Sequence, residues 1–207
     1  VALLALVIAS TGLASADNLL TNGSFQNGNF SGWIQGTTPN GSPGAGFPIV
    51  ATWPLGGMNA AEYEVGEINF DGTYQGATLS QNFMTSGGSL TLGFMWAAMG
   101  DGIHQNADGG DFVLMLDGTT LASYDVGTIN PTQTINGSLM ATDTVSAGMH
   151  TFEIEILRPY QTEQGNTPYQ FVTGAYVNGP GGTTPEPSTL LLLGSGIAGV
   201  WYRRKRS

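Results

Sequence analysis

The sequence predicts an all-β protein, an antiparallel β-sandwich, on three observations. Short segments alternate apolar and polar residues with the period of two that turns one strand face toward a core. Glycine makes up 32 of the 207 residues, and the turn dipeptides Asn22-Gly23, Asn27-Gly28, Asp71-Gly72, Gly87-Gly88 and Asn136-Gly137 punctuate the chain. No stretch between Asp17 and Thr184 shows a capped 3.6-residue period, so no helix is expected there. Strands that each bury one face need a second sheet to cover them.

The elements follow in order. The apolar run Val1–Ala9 and the small-x-small pattern Ala14-Ser15-Ala16 predict a signal peptide over residues 1–16, cut ahead of Asp17. Its positive n-region is incomplete, and Val1 fits either a GTG start or a fragment end. A single sandwich domain is expected over residues 17–179. Ser89–Ala97 places Leu90, Leu92, Phe94 and Trp96 on one face. Asp111–Leu116 turns Phe112, Leu114 and Leu116 inward and meets Asp117-Gly118, a hairpin turn that leads into Thr119–Tyr124. His150–Leu157 is the clearest strand, with Phe152, Ile154 and Ile156 in and Glu153 and Glu155 out. Gln170–Val177 closes the domain. Pro180–Thr184 reads as a Gly/Pro linker.

The last segment has three parts. Pro185-Glu186-Pro187 is an extended spacer that disfavours helix. An uncharged apolar run from Thr189 to Tyr202 follows, and Arg203-Arg204-Lys205-Arg206 forms a basic stop on the cytoplasmic side. Fourteen helical residues reach about 21 Å against a hydrocarbon core of about 30 Å, which makes a short, marginal anchor. The pattern Gly194-Ser195-Gly196-Ile197-Ala198-Gly199 lacks the preceding strand and following βαβ unit that a dinucleotide fold requires, and small residues easing helix contact in lipid explain it better.

Charge narrows the partners. Four of the five basic residues lie in that tail, so the region from Asp17 to Thr184 keeps only Arg158 and a net charge of −13, against −10 for the whole chain. One cation cannot neutralise a run of phosphates, so nucleic acid is excluded as a partner. Absence of cysteine excludes disulfides, thiolate metal sites and cysteine nucleophiles.

No catalytic residues are expected. Glu153 and Glu155 sit about 7 Å apart on one strand face, the ordinary pattern of a solvated strand. His104 and His150 have no evident partner. The loop Asp101–Asp111 is the densest polar cluster, and its oxygens suit Ca²⁺; Asp101, Asn106, Asp108 and Asp111 are the candidate ligands. The aromatics Trp33, Trp53, Tyr63, Tyr74, Tyr160 and Tyr169 read mainly as turn or loop residues, and Trp33 as a core plug. Trp53, beside Pro54 and Gly56-Gly57, reads as free to stack on a sugar.

Two resemblances extend this reading. Pro185-Glu186-Pro187, the short apolar run and the terminal arginines resemble the PEP-CTERM sorting signal. That resemblance implies export, an exosortase and a signal peptidase as processing partners, membrane attachment through the tail, and a destination in the bacterial envelope or an exopolysaccharide matrix. Asn22-Gly23-Ser24-Phe25, closed by Gly32-Trp33, resembles the opening of galactose-binding-like jelly rolls, among them carbohydrate-binding modules. Gln26 and Asn178 stand where those domains often place acidic calcium ligands between first and last strands. Together they imply a non-enzymatic structural or adhesive matrix protein, or alternatively a calcium-dependent carbohydrate-binding module.

Overall fold

The computed structural model describes residues 18–162 and 167–180. The expected signal peptide (1–16), the linker beyond Pro180 and the sorting tail (185–207) lie outside the described residues. Among the described residues no helix is long and apolar enough to cross a membrane.

Twelve strands run through the described residues: β1 (Ile34–Thr37), β2 (Gly41–Ser42), β3 (Ile49–Thr52), β4 (Asn59–Tyr63), β5 (Gly66–Glu67), β6 (Gln75–Thr85), β7 (Gly88–Met99), β8 (Asp111–Leu116), β9 (Thr119–Asp125), β10 (Thr134–Val145), β11 (Gly148–Arg158) and β12 (Tyr169–Asn178). They form two five-stranded antiparallel sheets, ordered β1-β6-β11-β8-β9 and β10-β7-β12-β4-β3, with β2 and β5 as a small third pair. The predicted antiparallel sandwich of jelly-roll type is therefore what the chain adopts. All five strands read from the sequence are present, as β7, β8, β9, β11 and β12.

The core lies between the sheets. Leu90, Leu92, Phe94 and Trp96 of β7 face Phe112, Leu114 and Leu116 of β8 and Phe152, Ile154 and Ile156 of β11, and all are buried. Each such side chain contributes about 1.5–3 kcal/mol by leaving water. Trp33 is the expected plug, its ring 5.8 Å from Phe25 and 6.1 Å from Phe152.

Three expectations are corrected. Trp53 is only 5% exposed: it covers Ala60, Ala97 and Phe171 on the outer face of the second sheet. Its Pro-Gly-Gly surroundings fold it back onto an apolar patch instead of presenting it. Tyr63, read as a loop residue, is a buried core residue of β4. Asn136-Gly137 is not a turn but lies within β10, where Gly137 pairs with Trp96.

The connections separate two ends of the sandwich. β6 passes to β7 through Ser86-Gly87, β8 to β9 through Asp117-Gly118, and β10 to β11 through Ser146-Ala147. Chain entry and exit share this end: Leu19 N–H donates to Val177 O (2.8 Å), and Thr85 Oγ1–H and Ser86 N–H donate to Pro180 O (2.7 and 3.3 Å). The longer β5–β6, β7–β8, β9–β10 and β11–β12 loops gather at the other end. β12 links the two, and its ten residues span about 33 Å.

Candidate functional site

The loops at the far end hold one another by backbone pairing. Asn106 and Ile129 exchange both N–H···O bonds at 2.9 Å, and Gly109 N–H donates to Gly127 O at 2.7 Å. Glu67 N–H donates to Tyr160 O at 2.8 Å, and Gln161 Nε2–H to Ile68 O at 2.9 Å. The buried Glu67 carboxylate accepts from Asp71 N–H at 2.6 Å and so fixes the β5–β6 loop.

These loops enclose a cavity of about 430 Å³. Phe70 and Tyr160 stand on it as exposed rings, 64% and 39% accessible, while Gln105 and Gln161 add amides and Asn106 and Arg158 lie buried at its wall. Rings with converging amides are the ordinary composition of a small-molecule site.

Arg158 organises the wall. It ends β11, is 2% exposed, and ties three segments together: Nε–H donates to Asp108 O (3.0 Å), Nη1–H to Val65 O (3.2 Å) and Nη2–H to Asn106 Oδ1 (3.5 Å). Its guanidinium also lies 5.7 Å from the Tyr160 ring centre. Burial pulls its pKa down to about 10, opposed by Asp108, Tyr160 and Glu64. Asn106, 8% exposed, gives its carbonyl oxygen to Arg158, which leaves Nδ2 a buried donor without a partner. Buried donors are nearly always paired, so an orphan donor on a cavity wall points to a ligand or water acceptor.

Sequence reasoning grouped Asp101, Asn106, Asp108 and Asp111 as calcium ligands; the fold sends them to different tasks. Asp101 caps its own loop, accepting from Ile103 N–H (2.8 Å) and His104 N–H (2.7 Å). Asn106 and the Asp108 carbonyl engage Arg158, and Asp108 Oδ1 accepts from Gly110 N–H at 2.7 Å. Among the described residues no three carboxylate or imidazole side chains are grouped as a metal-holding set. The cation at this loop is Arg158, and its singularity between Asp17 and Thr184 is the sequence signal that could have found the site.

Both histidines, read as unpartnered, meet carboxylates. His104 Nδ1 lies 3.3 Å from Asp101 Oδ2, and His150 Nδ1 lies 2.6 Å from Asp117 Oδ2 across two end turns. The Asp117 hydrogen bond raises the His150 pKa, so this pair stabilises the fold below that pKa and is lost as pH rises through it.

Asp111 shows the opposite cost. It pairs across β8 and β9 with Asp125, and burial, then Asp125, then Asp108 push its pKa up to about 6. A raised carboxylate binds its proton more tightly when folded, so stability rises as pH falls from 7 toward 4. Partial exposure screens the effect to on the order of 1 kcal/mol. Asp111→Asn is therefore expected to raise the urea midpoint at pH 7.5 and leave it nearly unchanged at pH 3. An equal shift at both pH values would sink this assignment.

No curated protein matches the chain. Among solved structures, the chain is similar to a carbohydrate-binding module, TmCBM61, in complex with β-1,4-galactotriose: 16% identity over 78% of this chain and 97% of that one, TM-score 0.46. It is similar to the CBM22-1 xylan-binding domain of Paenibacillus barcinonensis Xyn10C at 11% identity over 82% and 98% of the two chains, TM-score 0.44. A third is the enzymatically active domain of bacteriophage CBA120 tailspike protein 4, at 16% identity over 78% of this chain and 21% of that one, TM-score 0.45. Residues 183–206 match the PEP-CTERM protein-sorting motif, a mark of export with membrane anchoring before processing.

Proposed function

We propose that this protein is a non-enzymatic, exosortase-processed display module that binds a saccharide of an extracellular matrix in the cavity beside Asn106 and Arg158. The observation that carries the reading is the unpartnered Asn106 Nδ2 donor in the wall of a cavity that two exposed rings, Phe70 and Tyr160, also line. Sugar faces stack on aromatic rings and sugar hydroxyls accept from amide donors, so the two features together suit a saccharide. Placement supports it. Entry and exit of the domain lie at one end and the cavity at the other, so attachment through the tail would leave the cavity pointing away from the membrane.

Calcium has no part in the proposal, because the carbonyl and amide oxygens of the β7–β8 loop already face the Arg158 guanidinium. Saccharide affinity is expected to be equal in chelator and in millimolar Ca²⁺. Loss of binding in chelator would restore the cation-dependent alternative.

Affinity electrophoresis of the full chain through gels carrying neutral and acidic polysaccharides tests the main reading. At least one polysaccharide is expected to retard it, and Tyr160→Ala to weaken that retention about tenfold, the scale of one lost ring contact. Unaltered mobility in every gel, or a Tyr160→Ala protein that binds like the parent, would refute it.

The domain is also proposed to fold without its tail. Residues 17–184 are expected to give a soluble β protein with a single cooperative urea transition; an aggregated product would place the apolar tail in the core.

A further inference from the structure

We propose that the saccharide taken by this cavity is acidic, with a uronic-acid carboxylate seated against Arg158. This inference rests on the saccharide reading above and narrows its substrate class.

A guanidinium carries five N–H donors. Three of those on Arg158 are taken, by Asp108 O, Val65 O and Asn106 Oδ1, which leaves one N–H on each terminal nitrogen. All three acceptors are neutral. Among the described residues no carboxylate oxygen lies within 4 Å of Arg158, and the Asp108 and Glu64 charges act on it only from farther away. A buried cation without an ion pair is costly, and an anion that enters its cavity relieves that cost.

The other wall groups agree. The orphan Asn106 Nδ2 is a second donor, and the described residues that line the cavity include no Asp or Glu. A sugar hydroxyl both donates and accepts, whereas a carboxylate only accepts, so this wall favours the carboxylate. A carboxylate has one oxygen for each of the two N–H groups left on the terminal nitrogens, a paired recognition that a Lys could not reproduce. The Tyr160 ring beside the guanidinium then provides a face for the same sugar unit.

The test changes the ligand and leaves the protein alone, because Arg158 is built into the fold. The full chain, held in a detergent without a sugar headgroup, is titrated calorimetrically with tri-galacturonate and tri-glucuronate, with their methyl esters, and with the neutral trisaccharides. At least one free acid is expected to bind tenfold or more tightly than its own ester. Equal or tighter binding of the ester or the neutral sugar would overturn the carboxylate assignment and keep the saccharide site. Absence of binding by all of them, together with unretarded electrophoresis, would remove both. A second arm uses Arg158→Lys, which keeps the charge and loses the paired donors: where it folds, the acid-over-ester preference is expected to fall severalfold while ester affinity holds. An unchanged preference would count against the paired recognition.

Discussion

Replacing Trp96 with alanine is expected to lower the unfolding free energy by about 3–5 kcal/mol, the usual cost of emptying a buried aromatic site. Trp96 stands on β7 at the centre of the sandwich, stacked on Phe112 at 4.9 Å and on Tyr124 at 4.5 Å between ring centres. Those partners belong to the opposite sheet, so the ring joins the two layers. On its other side it lies over Gly137 of β10, where an added Cβ would sit 2.7 Å from Trp96 Cζ2. Glycine within a strand ordinarily loses to alanine by about 0.5–1 kcal/mol. Here the clamped indole cannot yield, so Gly137→Ala is expected to destabilise by about 1–3 kcal/mol instead. Urea denaturation of both variants checks the pair, and a stabilised Gly137→Ala protein would show that the ring has room to move.

The second large effect is at Arg158. Arg158→Ala would strip three buried acceptors of their donor and open the wall between the β5, β7–β8 and β11 segments. About 3–5 kcal/mol of stability is expected to be lost, on the scale of breaking a buried charged network. Hydrogen exchange should show the damage first in the loops at residues 64–74 and 103–110, with the hairpin turn at Asp117-Gly118 still protected. A variant as stable as the parent would mean that Arg158 is solvated from the cavity and free of structural duty.

The strands that were legible are those whose two faces differ most. β11 sets Phe152, Ile154 and Ile156 against Glu153 and Glu155, and both charge and apolarity mark the alternation. β6 escaped notice because its inward row reads Ala77, Leu79, Gln81, Phe83, with a polar residue facing inward. That glutamine is explained by the fold: its amide exchanges bonds with the Thr21 backbone, at 2.6 Å from Thr21 N–H and 3.0 Å to Thr21 O, and so docks the entering chain. β10 is an edge strand with one buried hydrophobic residue, Leu139, and its Asn-Gly dipeptide carries a turn signal that the pairing with β7 overrides.

The candidate site was less legible because nothing local makes it. Phe70, Asn106 and Tyr160 come from three loops and Arg158 from the end of β11, and only the sheet order brings them together. The acidic loop at Asp101–Asp111 attracted a metal reading because its own residues are all oxygen donors. Arg158, about fifty residues on in the sequence, takes two of its neutral oxygens, the Asp108 carbonyl and Asn106 Oδ1.

Hydrogen–deuterium exchange of the full chain, with and without a saccharide that retards it in electrophoresis, locates the bound sugar on the molecule. Binding in the cavity is expected to slow exchange in residues 68–74, 103–109 and 158–162, with the turns at Asp117-Gly118 and Ser146-Ala147 unchanged. Protection confined to the outer faces of the sheets, around the Trp53 layer or along β10, with no change in those three loops, would contradict the account.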